Sequence, residues 1–333
     1  MSGSETSGGG DAPFLAQAPT RIAIILNPRS GGGKAARRWR FVAKHLAALN
    51  AAMPEYHVFQ TEGPRHATEL TRAALRDGFD RVVSAGGDGT HFEVTCGFFD
   101  GASPIRPEAS YAILPIGTAS DLRKTYAISK NLAEQASLIT SPCVLPIDIG
   151  RLRSTDDSGA ERIYHFNTAV HMGVGSLVNV HVNRRSKALG PLLTFAIGVV
   201  SARLAFKPTD VTVTADGQDY SGRFMEVIVA KGFYDGGGMH VAPKGTLDSG
   251  FFEVYLVDQL GTIGSLVAAT RLYSGTHGNH PAVRYLRAKK VTVSARDAIY
   301  CGPDGEVAGQ VPATLEVLPR ALRAVTGPSP RVS

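Results

Sequence analysis

Gly86-Gly87-Asp88-Gly89-Thr90 follows the apolar run Val82-Val83-Ser84-Ala85, and that combination can receive a phosphate. Glycines tolerate positive φ and let backbone N–H groups approach an anion that side chains would hold away. Asp88 adds a carboxylate able to hold Mg²⁺ against phosphate oxygens. Thr90 stands where a helix would begin, so its hydroxyl and the first free N–H groups can meet the same anion. A simple strand-to-helix turn would satisfy the same residues, since Asp-Gly is common in turns. Partner motifs elsewhere in the chain have to decide between the two.

Two further loops of similar character flank this one. The continuous apolar run Arg21-Ile22-Ala23-Ile24-Ile25-Leu26 reads as a strand buried on both faces. It ends in Asn27-Pro28-Arg29-Ser30-Gly31-Gly32-Gly33-Lys34, followed by a helical pattern through Trp39, Val42, Ala43 and Leu46. Strand, glycine loop and helix is the α/β phosphate-binding order, although the GxxxxGK[ST] spacing of a P-loop is missing. A strand near Glu55–Thr61 and a helix over His66–Asp77 precede the strand into Gly86. The strand Tyr111–Leu114 then leads into Pro115-Ile116-Gly117-Thr118-Ala119-Ser120-Asp121. This alternation predicts a sheet covered by helices.

After about residue 145 the pattern changes to short β-rich runs at Val211–Ala215, Phe224–Ala230, Phe251–Val257 and Lys290–Ser294, separated by Gly-rich turns. The longest apolar stretch, Ala188–Val200, is broken by Gly190, Pro191 and Gly198. It falls short of the roughly 20 apolar residues that span a bilayer. It reads either as a buried helix or as an element that lines an acyl-chain pocket beside basic flanks.

Composition bounds the function. The chain has 333 residues, 43% hydrophobic and 19% charged, which suits about two globular domains. Cys96, Cys143 and Cys301 are scattered, which argues against a disulfide framework or a zinc site and fits a reducing compartment. Residues 1–20 are rich in Gly, Ser, Ala and Pro without Lys or Arg, and read as a disordered tail rather than a secretory signal. The net charge of +6 is concentrated: six basic residues and no acid lie between Arg29 and Lys44, and five with no acid between Arg184 and Lys207. Solvated helix faces or phosphate-facing surfaces both explain such runs. Nucleic acid is disfavoured because aromatic stacking platforms are not interleaved with the charges.

These motifs, taken in order, resemble the diacylglycerol kinase catalytic family, which includes bacterial lipid kinases, ceramide kinases and sphingosine kinases. The resemblance runs from about Arg21 to Val325. It rests on Asn27-Pro28-x-Ser30-Gly31, Thr61, Gly86-Gly87-Asp88-Gly89-Thr90-x-x-Glu93 and Pro115-x-Gly117-Thr118-x-x-Asp121-Leu122. In the second half it rests on Asn167, Gly173, Lys187-x-Leu189-Gly190, Gly236-Gly237-Gly238, Ala242-Pro243, Gly275-x-His277, Asp304-Gly305-Glu306 and Pro319-x-Ala321-Leu322.

The resemblance implies an α/β N-terminal nucleotide-binding domain over 21–147 and a β-rich, sandwich-like lipid-binding domain over 148–310, with a cleft between them. Residues 311–326 are expected to return to the first domain. It implies ATP and Mg²⁺ as cofactors and a lipid acceptor at the inner face of a membrane. The protein is expected to be cytoplasmic and peripherally attached, in a form compatible with a homodimer. Around the nucleotide it implies Asn27, Pro28, Ser30, Gly31, Thr61, Gly86, Gly87, Asp88, Gly89, Thr90, Glu93, Gly117 and Thr118, with Asp88 at the catalytic metal.

Phosphoryl transfer needs metal and donors at the γ-phosphate and a base at the acceptor hydroxyl. Asp304 and Glu306 are the carboxylates the resemblance puts opposite Asp88. Glu306 is favoured as base and the reverse assignment stays open. Both would face one cleft if the backbone there is extended. Glu93 either complements its own helix dipole or orients the loop and metal. His277 and His280 lie beside Gly278 and Pro281, which argues for a loop and a structural role for His277.

Three departures stand out. Ala119-Ser120 replaces the usual Gly-Asn, and Lys231 stands where Asn is expected. In Asp248-Ser249-Gly250, Ser249 replaces the second Asp with which many bacterial members hold a structural Mg²⁺. Serine is a poor ligand for such a hard cation, which leaves Asp248 as its remaining carboxylate. An NAD kinase-like enzyme and a non-catalytic lipid-binding relative are the alternatives. The 188–200 segment and the Asp304-Gly305-Glu306 ending weigh against the first, and retention of Asp88, Asp304 and Glu306 against the second.

Overall fold

A computed structural model describes residues 15–49, 54–118, 120–177, 206 and 209–333. The segment 188–200, the Lys187-x-Leu189-Gly190 motif, nearly all of the second basic run, Ala119 and residues 1–14 of the tail lie outside the described residues.

The N-terminal half is a parallel sheet. Arg21–Leu26 lies between Glu55–Gln60 and Arg81–Gly86, and Ser110–Pro115 pairs with the far edge of Arg81–Gly86. Arg81–Gly86 and Ser110–Pro115, two of the inner strands, are buried at every residue, as strands of a sheet covered on both faces must be. Glu55–Gln60, at the edge, keeps several side chains exposed. Helix Lys34–Leu49 packs Val42 and Leu46 on one face with Ile24 and Val83. Ala74 and Leu75 of helix His66–Arg76 cover the other face with Phe98 and Ile113.

Two long strands carry this sheet into the second half. Cys143–Thr155 pairs antiparallel with Gln310–Ala324, from Leu145 opposite Ala324 to Thr155 opposite Gln310. On its other edge Gln310–Ala324 pairs with Lys290–Ala295 and, through Arg323 and Ala324, runs parallel beside Ser110–Pro115. The result is one 11-stranded mixed sheet through both halves. Ile147 and Asp148, where the first domain was expected to end, are consecutive residues of the same strand.

A second, five-stranded antiparallel sheet covers the C-terminal part, in the order Val283–Ala288, Phe252–Asp258, Phe224–Ala230, Ala169–Gly173, Cys301–Pro303. Leu152, Phe166, Val213 and Leu315 on one side meet Val227, Val229 and Val254 on the other in a closed apolar core. The fold is thus the expected one: an α/β nucleotide-binding type of half and a β-sandwich-like half. The helix Thr262–Ser274 was not expected. Its apolar residues fall on both faces, with Ile263 and Val267 exposed and Ala269 buried, which hides the helical period.

Gly150 is tightly packed at the junction, because a Cβ there would overlap the Phe166 ring, itself stacked 5.7 Å from Phe252. Gly150→Ala is expected to cost about 1–3 kcal/mol through overpacking. The measurement is a lowered urea midpoint at unchanged m-value.

Candidate active site

Three loops at the ends of parallel strands converge. Asn27 Nδ2 donates to Thr90 Oγ1 at 3.1 Å, and its Oδ1 accepts from the Arg29 N–H. The Gly117 N–H donates to the Gly86 carbonyl at 2.8 Å. A Cβ at Gly87 would meet Ser30 Oγ at 2.9 Å, and one at Gly117 would meet the Gly87 Cα at 2.7 Å. Gly31, at φ +62°, has Thr118 Oγ1 where its own Cβ would point. Only glycine permits loops this close. Thr61 is buried beside them, its N–H bonded to the Leu26 carbonyl. Helix Asp88–Gly97 starts at this point, so its free N–H groups face the gap between the loops.

Arg38 was not singled out from the first basic run. One helical turn beyond Lys34, its guanidinium donates to the Gly117 carbonyl at 2.5 Å, so one residue of the first basic run fastens the third loop.

The opposite wall comes from the turn after Cys301–Pro303. Its backbone is not extended, as facing carboxylates would have required: Asp304 and Gly305 take φ of 47° and 82°. The two acids therefore do different things. Asp304 is buried, and its carboxylate accepts from the Asn167 N–H at 2.9 Å, the Thr168 N–H at 2.8 Å and Thr168 Oγ1 at 2.6 Å. Glu306 is exposed, and a Cβ at Gly89 would meet its Oε1 at 2.6 Å. Glu306 thus lies directly against the phosphate-type loop of the other half. Desolvation by the surrounding cleft, with help from Glu93, raises its carboxyl above the ordinary range.

Between the walls is a small cavity lined by Asp88, Asp121, Asp235 and Asp304, with His91, Leu122 and Thr168. Asp121 had been placed in the third-loop motif without a role of its own, and Asp235 had not been singled out. Asp121 Oδ2 accepts from the Gly237 and Gly238 N–H groups of the second half, its Oδ1 from Lys124, and its own N–H donates to Asp88 Oδ1. Burial, reinforced by the charges of Asp121 and Asp235, pushes Asp88 up to about 8. Burial likewise raises Asp304, to about 6, against the pull of its hydrogen bonds. Burial alone would lower His171, yet its contacts with Asp235 and Glu226 raise it to about 10, placing a cation behind Asp235. His91 is the reverse case, driven down to about 3 by burial, with Nδ1 on Ser84 Oγ.

Asp88 is the carboxylate of this lining best suited to a hard cation, since burial and the charges of Asp121 and Asp235 favour a positive partner there, a proton or a metal ion. Asp121, Asp235 and Asp304 are already turned to protein donors, and among the described residues no group of three or more acids, histidines or cysteines is arranged as a metal cluster.

Two expected ligands are placed elsewhere. Glu93 gives its oxygens to the Arg65 and Ala67 N–H groups at 2.9 and 3.1 Å, capping helix His66–Arg76 and not the nucleotide loop. Asp248 accepts from the Ser333 N–H at 2.7 Å and faces Arg320 at 3.8 Å, so its oxygens are turned to protein partners. His277 is buried against Tyr255, ring centroids 4.4 Å apart, in a structural role.

Residues 21–152 match the family model "Diacylglycerol kinase catalytic domain", and residues 168–326 match "YegS C-terminal NAD kinase beta sandwich-like domain". A diacylglycerol kinase of Bacillus subtilis (strain 168) is 27% identical over 317 residues, covering 92% of this chain and 96% of its own. A crystal structure from Bacillus anthracis str. Sterne superposes with a TM-score of 0.74 at 25% identity, covering 98% of this chain and 99% of that one. Yeast NADH kinase, at a TM-score of 0.53 and 12% identity over 96% of this chain and 87% of its own, shares the fold alone.

The raised carboxyls set a pH dependence. A group whose folded pKa exceeds its unfolded value stabilises the fold fully below the unfolded pKa and loses that contribution as pH rises through the folded one. In EDTA, stability is therefore expected to fall from about pH 4 to about pH 8, with Asp304 contributing up to about 6 and Asp88 up to about 8. Urea midpoints across that range check it, and Asp88→Asn should flatten the upper part of the slope.

Proposed function

The chain belongs to the diacylglycerol kinase catalytic family, and on that premise we propose that it transfers the γ-phosphate of ATP to the primary hydroxyl of a diacylglycerol-like lipid. The observation that carries this reading is Glu306 Oε1 lying against Gly89. A carboxylate from the lipid-facing half reaches the loop that would hold the reacting phosphate.

The loops supply the phosphate side. Gly86, Gly87, Gly89 and Thr90 offer N–H groups and a hydroxyl at a helix N-terminus, while Asn27, Ser30, Thr61, Gly117 and Thr118 enclose the remainder of the nucleotide. Asp88 would hold Mg²⁺, which when bound neutralises charge on the phosphate oxygens. Glu306 accepts the proton of the acceptor hydroxyl, and its raised pKa suits that task. Asp304 serves as a positioning residue: with its oxygens given to Asn167 and Thr168, it fixes the turn that aims Glu306. A metaphosphate-like transition state needs placement more than covalent help, which these rigid loops provide.

Among the described residues no helix is long and apolar enough to cross a membrane. Helix Thr262–Ser274 offers a surface contact instead. Ile263, 81% exposed, and Val267, 47% exposed, sit one turn apart on its outer side. An exposed apolar pair of this kind suits insertion at a lipid surface.

Incubation with ATP, Mg²⁺ and a panel of dispersed lipids, read by mass spectrometry, is expected to give a phosphorylated diacylglycerol-like product. Ceramide and sphingoid bases are the other acceptors to include, and labelled product from NAD alone would overturn the lipid reading. Glu306→Gln is expected to lower kcat by about 10²–10⁴ with an unchanged melting curve. Asp88→Asn should abolish turnover. Ile263→Asp is expected to reduce activity on vesicles several-fold while sparing activity on detergent-dispersed lipid.

A further inference from the structure

Lys231 is the most deeply buried lysine in the described structure, its side chain 2% exposed. Its ammonium lies 2.9 Å from Asp148 Oδ2, 2.8 Å from the Thr246 carbonyl, 3.1 Å from Ser249 Oγ and 3.5 Å from the Phe251 carbonyl. An ammonium has three protons, and three oxygens stand at hydrogen-bond distance with a fourth behind them. A ring of backbone carbonyls, a hydroxyl and a fully buried carboxylate is the donor set of a hard cation. Here the centre of that ring is a side chain of the protein.

We propose that Lys231 is a built-in cation that takes the place of a structural divalent metal, so that the 246–251 loop of this chain folds without one. The residues around it do not fit Mg²⁺. A metal ion would need oxygens at about 2.0–2.1 Å in an octahedron, and the space is held by a tethered group of like charge. Asp148 is already committed: Oδ2 also accepts from the Gly250 N–H at 2.7 Å, and Oδ1 accepts from the Arg320 N–H at 2.9 Å. Asp248 is committed to Ser333 and Arg320.

The two departures seen in the sequence meet at this point. With Asn, Asp and a divalent ion the local charge sums to +1; with Lys231 and Ser249 it is again +1. Each substitution alone would unbalance the site, and together they leave it balanced. Burial draws the ammonium below the ordinary lysine range, and Asp148 acts against that shift.

The test is the thermal midpoint of the full chain, with every protein carrying Asp88→Asn so that the cleft does not contribute metal binding. The parent is expected to melt within about 1 °C in EDTA and in millimolar Mg²⁺. Lys231→Asn combined with Ser249→Asp should melt at least about 5 °C higher in Mg²⁺ than in EDTA, or fold only with Mg²⁺. A parent that loses several degrees in EDTA overturns the proposal, as does a double variant indifferent to Mg²⁺. Should that variant fold in neither condition, Lys231→Met provides the second reading. It is expected to melt at least about 5 °C below the parent, because it leaves Asp148 buried and unpaired, and to recover part of the loss when Asp148→Asn is added. No recovery overturns the proposal.

Discussion

The backbone ladder between Cys143–Thr155 and Gln310–Ala324 is the constraint on which the other contacts rest. A two-domain enzyme commonly joins its halves by flexible linkers, and its cleft then opens by default. In this chain the joint is a pair of strands thirteen and fifteen residues long, continuous with both sheets. The ladder is interrupted only where register shifts occur, between Gln310 and Thr314 and between Leu318 and Leu322. Asp148 sits opposite the second interruption and accepts the Arg320 N–H, which has left the ladder at φ 49°. The irregularity is thus satisfied and not merely tolerated. A small number of side-chain contacts then settles the cleft: Asp121 with the Gly237 and Gly238 N–H groups, Thr125 Oγ1 with the Phe233 N–H, and Asn167 between Tyr126 and Thr95.

Gathering four carboxylates in one small cavity is costly, and the surrounding structure shows how the cost is met. Lys124 balances Asp121, His171 stands behind Asp235, and N–H groups from Asn167 and Thr168 solvate Asp304. Asp88 has the least compensation and the most perturbed titration of the four. The residue aimed at the phosphate loop is thus the one left wanting positive charge. Strongly perturbed groups in a cleft mark functional sites with some regularity, and structural ion-pair networks, such as Glu226–His171–Asp235 behind the cavity, perturb them as well.

Much of this was legible in the sequence because local chemistry wrote it there. Glycine loops after apolar runs announced the three converging loops, and turn-separated β runs announced a mainly β second half. What stayed hidden depends on contacts across the chain. Asp235 precedes three glycines without local periodicity, and its place in the cavity emerges only once the 236–238 loop crosses to Asp121. Arg38 looked like one charge of a run, and reaches Gly117 only because helix and loop pack side by side. Glu93 carried a dipole argument for its own helix, yet the N–H groups it satisfies belong to the neighbouring one. The condition attached to Asp304 and Glu306, an extended backbone, is not met, since Asp304-Gly305 takes left-handed φ. Lys231 and Ser249 were visible only as two separate oddities eighteen positions apart.

Gly89 and Glu306 sit far apart in the chain, and a bare hydrogen on one faces a carboxylate of the other. No side chain stands between them, so the place of Glu306 against the loop is set by how one half seats on the other. If Glu306 is the base proposed above, activity would register a small shift of the joint before the fold itself gives way.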